Sequence, residues 1–290
     1  MTQLHLYLCY IAVAAAGPGY SERWMAAHGA RVQTLERSDV MSELRQRVRN
    51  LQGPPLSIFD VGANDGKWSR DILKECVQHR RATAVDLFLL EPQPQFYASL
   101  DAIARAGTDV CRVHVVRRAA WVRQENLTFW EARSRRESVS ASLNRQNVRR
   151  SQRSFKVAAI PFDSFLKKHV AQGAQGVLKL DIESAEYLLL PHLLRTRALC
   201  QVKLFVIEWH LVLWDAARKA ESLALIRDFD KLLEGGCSAA GIRPTGAAVR
   251  RVHHMIGGGG HGQTSINATV SLQEFVRAFA KPAQEQLRLN

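Results

Sequence analysis

The chain has 290 residues, of which 47% are hydrophobic and 23% are charged. These values are ordinary for a globular protein, so they exclude a disordered, a collagen-like and a multi-span membrane protein. The length allows one large domain or two small ones. Lysine and arginine number 40 against 27 aspartates and glutamates, which gives a formal net charge of +13. This charge favours acidic partners such as nucleic acids, anionic glycans or anionic lipids, although a basic surface can also be simply solvated.

The N-terminal segment contains an apolar run, residues 4–16, that ends in three alanines followed by glycine. A run of this length before small residues is typical of a secretory signal peptide. No lysine or arginine precedes the run, so a buried helix or strand is the alternative interpretation. We expect a signal peptide over residues 1–16 and a location in the secretory pathway or endomembrane lumen, with a cytoplasmic location as the alternative. Because no run reaches about 18 apolar residues, we expect no integral membrane span.

Residues 17–55 are expected to form an N-terminal helical extension, in which positions 36–51 show helical spacing of apolar residues. From residue 56 to about residue 280, short apolar runs alternate with longer mixed segments. This alternation predicts one α/β domain with a parallel sheet covered by helices on both faces. The main strands are predicted at 56–61, 84–90, 113–116, 177–180 and 204–208, and the helices at 69–78, 94–106, 185–194 and 216–234. Further strands are predicted at 127–131 and 157–160, and an antiparallel pair at 249–256 and 265–270.

A polar loop, residues 133–156, carries eight basic residues and one glutamate. It holds more than half of the net charge of the chain, so we expect it to face an acidic acceptor or partner. RNA is one such partner, but the loop has few aromatic residues for stacking on bases.

The five cysteines are far apart and include no C-x-x-C pair, so neither a zinc site nor a redox dithiol is favoured. We expect them to be small buried side chains.

The strongest local pattern follows the first predicted strand, where residues 60–66 read D-V-G-A-N-D-G. A strand that enters a glycine turn before a helix is typical of ligand sites at the carboxyl ends of parallel strands. The spacing matches neither the G-x-G-x-x-G pattern nor a P-loop. Glu91 ends the next strand, at a point where a carboxylate can accept both hydroxyls of a ribose. The two features together predict a nucleotide-like ligand.

These residues resemble the FkbM family of S-adenosylmethionine-dependent methyltransferases. The first motif of that family is matched by residues 60–66, and its second signature, K-x-D-x-E-G-x-E, resembles residues 179–186. Further matches are Glu91-Pro92, Ala119-Ala120, residues 161–166 and Glu208-Trp209-His210. The matches follow family order over residues 56–210. One departure is Ser184, which stands where the family usually has glycine.

The resemblance implies a Rossmann-like class I methyltransferase fold, with a seven-stranded, doubly wound sheet and an antiparallel last strand. It implies an O-methyltransferase that acts on a hydroxyl of a glycan or small metabolite, with S-adenosylmethionine as the cofactor. The expected cofactor-binding residues are Asp60, Gly62, Asn64, Asp65, Gly66, Glu91, Ala119 and Ala120. An RNA methyltransferase and a non-catalytic binding protein that keeps the fold are the alternatives.

Methyl transfer to a weakly acidic hydroxyl benefits from a base, and the expected catalytic residues are His210, Asp181 and Glu183. His210 is the preferred base because an unperturbed imidazole has a pKa near 6.5. Asp181 is the alternative base, and Glu183 or Glu208 would fix the tautomer of the imidazole. The same carboxylates and imidazole are ligand types for a divalent metal, but we favour catalysis or loop support over metal binding.

Overall fold

A computed structural model of the protein describes residues 9–12, 32–33, 55–78, 84–132, 141–143, 152–170, 175–210, 216–238 and 250–255. The predicted helix at 36–51, most of the basic loop and the predicted strand at 265–270 lie outside these ranges.

The described residues form eleven strands and five α-helices. The strands are β1 (Cys9–Ala12), β2 (Val32–Gln33), β3 (Leu56–Val61), β4 (Val85–Leu90), β5 (Cys111–Val116), β6 (Ala119–Trp121), β7 (Asn126–Ala132), β8 (Gln152–Pro161), β9 (Gln175–Leu180), β10 (Val202–Trp209) and β11 (Arg250–Met255). The helices are α1 (Lys67–Gln78), α2 (Tyr97–Arg105), α3 (Phe162–His169), α4 (Glu186–Arg195) and α5 (Ala216–Ser238). The strands and helices predicted between residues 56 and 234 are confirmed, and α3 and β6 are added.

Within the described residues the main sheet has eight strands in the order β2-β1-β11-β10-β9-β3-β4-β5, and each of these pairings is parallel. Helices α1, α2, α4 and α5 connect successive strands, as parallel pairing requires. This arrangement confirms an α/β fold of the Rossmann-like kind. Among the helices of the described chain, none is long and apolar enough to cross a membrane.

Seven strands and an antiparallel last strand are not confirmed, because eight strands pair in the described sheet and the predicted strand at 265–270 lies outside the described residues. Strand β11 pairs with β10 in parallel, with Val206 opposite Val252. Helix α5 lies between the two strands in sequence, and a helical crossover returns the chain in the same direction. On its other side β11 pairs with β1, so residues 9–12 are a strand, as in the alternative interpretation of the N-terminal run. The signal peptide stays a prediction.

Residues alternate between two apolar layers along each central strand, as strand geometry dictates. Ile58, Leu87 and Val177 are register partners that pack on one face with α1 and α2. Their neighbours Phe59, Phe88 and Leu178 pack on the other face with α3, α4 and α5. The parallel strands are thereby buried on both faces, which fixes the positions of their carboxyl ends.

A second sheet, in the order β6-β8-β7, begins three residues after β5 ends. Strands β7 and β8 are antiparallel, with Leu127 opposite Val157. The buried face of this sheet packs against Ala185 and Ile182, which follow β9. The small sheet therefore lies over the loops at the carboxyl edge of the main sheet.

Two disulfides join distant parts of the chain, which corrects the expectation of unpaired buried thiols. Cys76 at the end of α1 is bonded to Cys111 of β5, with Cα atoms 6.2 Å apart. Cys200 is bonded to Cys237 of α5, with Cα atoms 5.4 Å apart. The sequence spacing does not reveal these pairs because each bond spans more than 30 residues and its connectivity depends on the fold.

Candidate functional site

An open cleft with a volume of about 140 Å³ lies at the carboxyl ends of β3, β4 and β9, against the small sheet. The residues that line it are Val61, Gly62, Asn64, Leu90, Glu91, Pro92, Gln93, Arg118, Ala119, Ala120, Leu127, Phe129, Ala141, Leu143, Asp181, Ile182, Glu183 and Ala185. Acidic and polar groups come from the main sheet, whereas the small sheet supplies an apolar wall.

The glycine turn after β3 forms the floor of the cleft. Gly62 has a φ of +79°, a conformation that favours glycine. A Cβ atom at Gly62 would overlap the backbone carbonyl of Asp181. The N–H groups of Gly62 and Ala63 both donate to the carbonyl of Leu90, at 3.0 and 3.1 Å. The absence of a side chain at Gly62 thus lets the three strand ends meet.

A buried ion-pair network lies directly beneath this turn. Asp60 is fully buried and accepts a hydrogen bond from the hydroxyl of Ser69 at 2.6 Å. The Nζ atom of Lys179 lies 3.0 Å from Oδ1 of Asp60 and 3.3 Å from Oδ2 of Asp181, and donates to the carbonyl of Gly62 at 3.0 Å. Burial alone lowers the pKa of Lys179, but Asp60 and Asp181 raise it above its ordinary value. Lys179, to which the sequence assigned no role, therefore holds two loops of the site together as a cation.

Glu91 is a buried carboxyl group at the edge of the cleft, only 2% exposed. Its two oxygens accept the backbone N–H groups of Asn64 and Gln93, each at 2.8 Å. Burial raises the pKa of Glu91 to about 7, against the opposing effect of the two N–H donors and of Lys179. Each carboxylate oxygen has a second lone pair that can accept a further hydrogen bond. Glu91 is thus fixed in place and able to accept hydrogen bonds from a ligand.

The loop after β9 forms the opposite wall of the cleft, to which Asp181 and Glu183 contribute. Glu183 and Ser184 have φ values of 52° and 81°, so two successive non-glycine residues adopt left-handed conformations. The hydroxyl of Ser142 donates to the carbonyl of Glu183 at 2.7 Å. Strained backbone of this kind costs about 1–3 kcal/mol per residue and persists where the surroundings enforce it.

His210 follows β10 and is buried behind this wall. Its Nδ1 atom lies 3.0 Å from Oε1 of the fully buried Glu186. Its Nε2 atom lies 3.7 Å from a carboxylate oxygen of each of Asp181, Glu183 and Glu208. Burial alone lowers the pKa of His210, but Glu186, Glu183 and Asp181 together raise it to about 10. In this arrangement the imidazole already holds its proton at neutral pH, which differs from the base of ordinary pKa expected from the sequence.

A family model for the methyltransferase FkbM domain matches residues 60–234, which is more than half of the chain. The chain belongs to the FkbM methyltransferase family. Neither a curated protein nor a solved structure matches the chain.

The FkbM domain brings five of the eight expected cofactor-binding residues to the cleft. They are Gly62, Asn64, Glu91, Ala119 and Ala120. The other three, Asp60, Asp65 and Gly66, are not among the lining residues. Asp65 accepts the N–H of Lys67 at 2.9 Å and pairs with Arg70 at 3.1 Å, so it supports the start of α1. Gly66, with a φ of +77°, packs against Ile103 of α2.

The expected catalytic residues of the FkbM domain do lie together. The ligand atoms of Asp181, Glu183 and His210 are all within 4.8 Å of one another. Sequence reasoning assigned no role to Glu186 either, although this residue ends the second signature motif. It accepts the N–H of Ile182 at 2.8 Å and also faces His210, so one buried carboxylate fixes both loops.

Proposed function

We propose that this FkbM-family protein transfers a methyl group from S-adenosylmethionine to a hydroxyl oxygen of a glycan or small metabolite. The observation that carries the proposal is the position of Glu91. Its buried carboxyl group lines the cleft beside the glycine turn and opposite the acidic wall of Asp181 and Glu183. A ribose-bearing donor on one side and a hydroxylated acceptor on the other suit this arrangement.

The cleft fits the donor on three counts. Glu91 is held by two backbone N–H groups and can accept the two hydroxyls of a ribose. The turn at Gly62 lets a ligand approach the backbone closely. Ala119 and Ala120, the first two residues of β6, leave room in the cleft because their side chains are small. When bound, S-adenosylmethionine supplies an activated methyl group and a neutral thioether leaving group.

The residues of the opposite wall would position the acceptor and receive its proton. Because His210 holds a proton at neutral pH, the carboxylates of Asp181 and Glu183 are the groups that can accept another. His210 then acts as a positioning residue, since Glu186 fixes its ring and its Nε2 atom faces both carboxylates. General-base assistance of this kind contributes about 10²–10⁴-fold to a rate.

The small sheet supports an acceptor with one apolar face. Leu127, Phe129, Ala141 and Leu143 line this side of the cleft, and the described part of the wall carries Phe129 as its aromatic residue. A sugar ring has polar hydroxyls at its rim and apolar C–H groups on its faces. It could therefore pack on Phe129 while one hydroxyl points at the carboxylates.

We also propose that the protein works in the secretory pathway or endomembrane lumen. The two disulfides support this location because such bonds persist in oxidising compartments and are rare in the cytosol.

Calorimetry with S-adenosylmethionine, followed by transfer of its labelled methyl group to panels of glycans and RNAs, tests the proposal. The wild-type protein should bind the donor and label a glycan or small hydroxylated acceptor. Glu91→Ala should weaken donor binding by about tenfold or more, because it removes hydrogen bonds to a charged group. Asp163→Asn alters an acid–histidine pair outside the cleft and serves as the control. Labelling of RNA alone would favour the RNA alternative, and absence of donor binding would refute the proposal.

A further inference from the structure

We propose that Asp181, Glu183, Glu208 and His210 form a binding site for one divalent first-row transition-metal ion. The site lies at the carboxyl edge of the main sheet, where β9 and β10 end side by side. Ion binding itself does not depend on methyl transfer. Only the role of the ion in catalysis rests on the proposed function.

The first argument is the arrangement of the ligand atoms. Oxygen atoms of Asp181 and Glu183 and a nitrogen of His210 lie within 4.8 Å of one another. Oε1 of Glu208 lies 3.7 Å from the same nitrogen, Nε2. Ligands that are each about 2.0–2.2 Å from one ion lie about 3–4 Å apart. Small side-chain rotations would therefore bring these atoms into one coordination sphere.

The second argument is the orientation of His210. Its side chain is 4% exposed, and its Nε2 atom makes no hydrogen bond of ordinary length to any residue in the described part of the chain. Instead, Nε2 points at three carboxylate oxygens at equal distances of 3.7 Å. Nδ1 is held at 3.0 Å by Glu186, which is fully buried. A carboxylate behind a histidine that faces further ligands is the usual outer shell of a metal-bound imidazole.

The donor set indicates which ions would bind. Carboxylates suit Mg²⁺, Ca²⁺ and Mn²⁺, whereas an imidazole nitrogen suits transition ions such as Fe²⁺ and Zn²⁺. Mg²⁺ prefers a shell of oxygen ligands alone, so one imidazole among several carboxylates predicts tighter binding of Mn²⁺ than of Mg²⁺.

The ion would lie beside the cleft, because Asp181 and Glu183 line it. If the proposed function holds, an acceptor hydroxyl that reaches the ion would have its pKa lowered by the positive charge. That proton could then pass to an oxygen of Asp181 or Glu183 that does not bind the ion, while His210 holds the ion in place.

Titration of the wild-type chain with Mn²⁺, after dialysis against a chelator, tests the site without donor or acceptor. Calorimetry and the electron paramagnetic resonance signal of free Mn²⁺ should both report one tight ion per chain, with weaker competition by Mg²⁺. Pulsed resonance of the wild-type complex should detect one imidazole nitrogen bound to Mn²⁺. This measurement needs no variant.

Three variants assign the binding to these residues. Glu183→Gln removes a ligand whose side chain is 30% exposed, and should weaken Mn²⁺ binding at least tenfold without a folding defect. Glu186→Gln should weaken it about 10–100-fold, as loss of an outer-shell partner does. Asp163→Asn alters the Asp163–His192 pair, in which Oδ1 and Nε2 lie 3.5 Å apart, and should leave the affinity unchanged.

Absence of a bound nitrogen, or an unchanged Mn²⁺ affinity in Glu183→Gln, would overturn the metal site. Donor calorimetry on the same samples keeps the two proposals separate. A chain that binds S-adenosylmethionine but no Mn²⁺ refutes the metal site and leaves the proposed function standing. A chain that binds Mn²⁺ at this site but does not bind S-adenosylmethionine refutes the proposed function and leaves the metal site standing.

Discussion

Lys179 and Asp60 are register partners on the adjacent parallel strands β9 and β3, with Nζ and Oδ1 3.0 Å apart. Both side chains are buried. The pair couples the core to the site, because Lys179 also contacts the carbonyl of Gly62 and the carboxylate of Asp181. The ammonium group of Lys179 thus joins the floor of the cleft at Gly62 to the acidic wall at Asp181.

Lys179→Met should destabilise the protein by about 3–5 kcal/mol, because it leaves the Asp60 carboxylate buried without a cation. The double variant Lys179→Met/Asp60→Asn should recover part of this loss, since it removes both charges of the buried pair. Urea denaturation measures both free energies of unfolding. Lys74→Met serves as the control, since its exposed pair with Asp71 at 3.7 Å contributes little. A double variant no more stable than the single one would contradict this explanation.

The free energy of unfolding of the protein without bound donor should fall as pH rises from about 4.5 to about 7, because of Glu91. Its pKa is raised by burial from 4.5 to about 7 in the folded protein. The folded state therefore binds the proton more tightly, and stability present below pH 4.5 is lost as pH rises through the folded pKa. A shift of this size corresponds to about 3 kcal/mol. Thermal or urea unfolding of wild type and Glu91→Gln should diverge over this pH window.

Donor affinity should have the opposite pH dependence. Under the proposed function, the ionised form of Glu91 accepts hydrogen bonds from the ribose hydroxyls of the donor, and with a pKa of about 7 only a minor fraction is ionised at pH 6. The dissociation constant of S-adenosylhomocysteine should fall about tenfold between pH 6 and pH 8, in proportion to the competent fraction. In Glu91→Gln, any pH dependence of the dissociation constant that comes from the ligand should remain. The tenfold change that comes from ionisation of Glu91 should disappear. Parallel pH profiles for the two proteins would exclude Glu91 as the titrating group.

Ser184→Gly should stabilise the protein by about 1 kcal/mol. Ser184 has a φ of 81°, and relief of strain of about 1–3 kcal/mol outweighs the added flexibility of the unfolded chain, about 0.4–1 kcal/mol. Ser184→Ala removes the hydroxyl, which lies 3.4 Å from the carbonyl of His210, and keeps the strained backbone. Chemical denaturation should show a higher free energy of unfolding for Ser184→Gly than for wild type, and no increase for Ser184→Ala. An equal gain for alanine would trace the effect to the hydroxyl instead.

The two disulfides should make stability sensitive to reductant. Each bond spans a sequence separation of 35 or 37 residues, for which the chain-entropy model gives about 3–4 kcal/mol. Peptide mapping of unreduced protein should recover the pairs Cys76–Cys111 and Cys200–Cys237. Reductant should lower the melting temperature of wild type more than that of Cys200→Ser/Cys237→Ser. Recovery of these four cysteines as free thiols from oxidised protein would refute the pairing.

The sequence by itself determined the α/β fold and the edge of the sheet that carries the site. Alternating apolar runs and amphipathic segments are local patterns, and they placed β3, β4, β9 and β10 correctly. In a parallel sheet the carboxyl ends of the strands meet at one edge. The sequence therefore predicts that Glu91, Asp181 and His210 lie at the same edge.

Only the tertiary structure decided how those groups are paired and charged. The contact between Lys179 and Gly62 joins residues 117 positions apart, and Glu186 reaches His210 across 24 positions. Such pairings depend on register and crossover direction, as does the parallel direction of β11. The pKa values of Glu91 and His210 depend on burial and on neighbours brought together by folding, and neither quantity is encoded in local sequence.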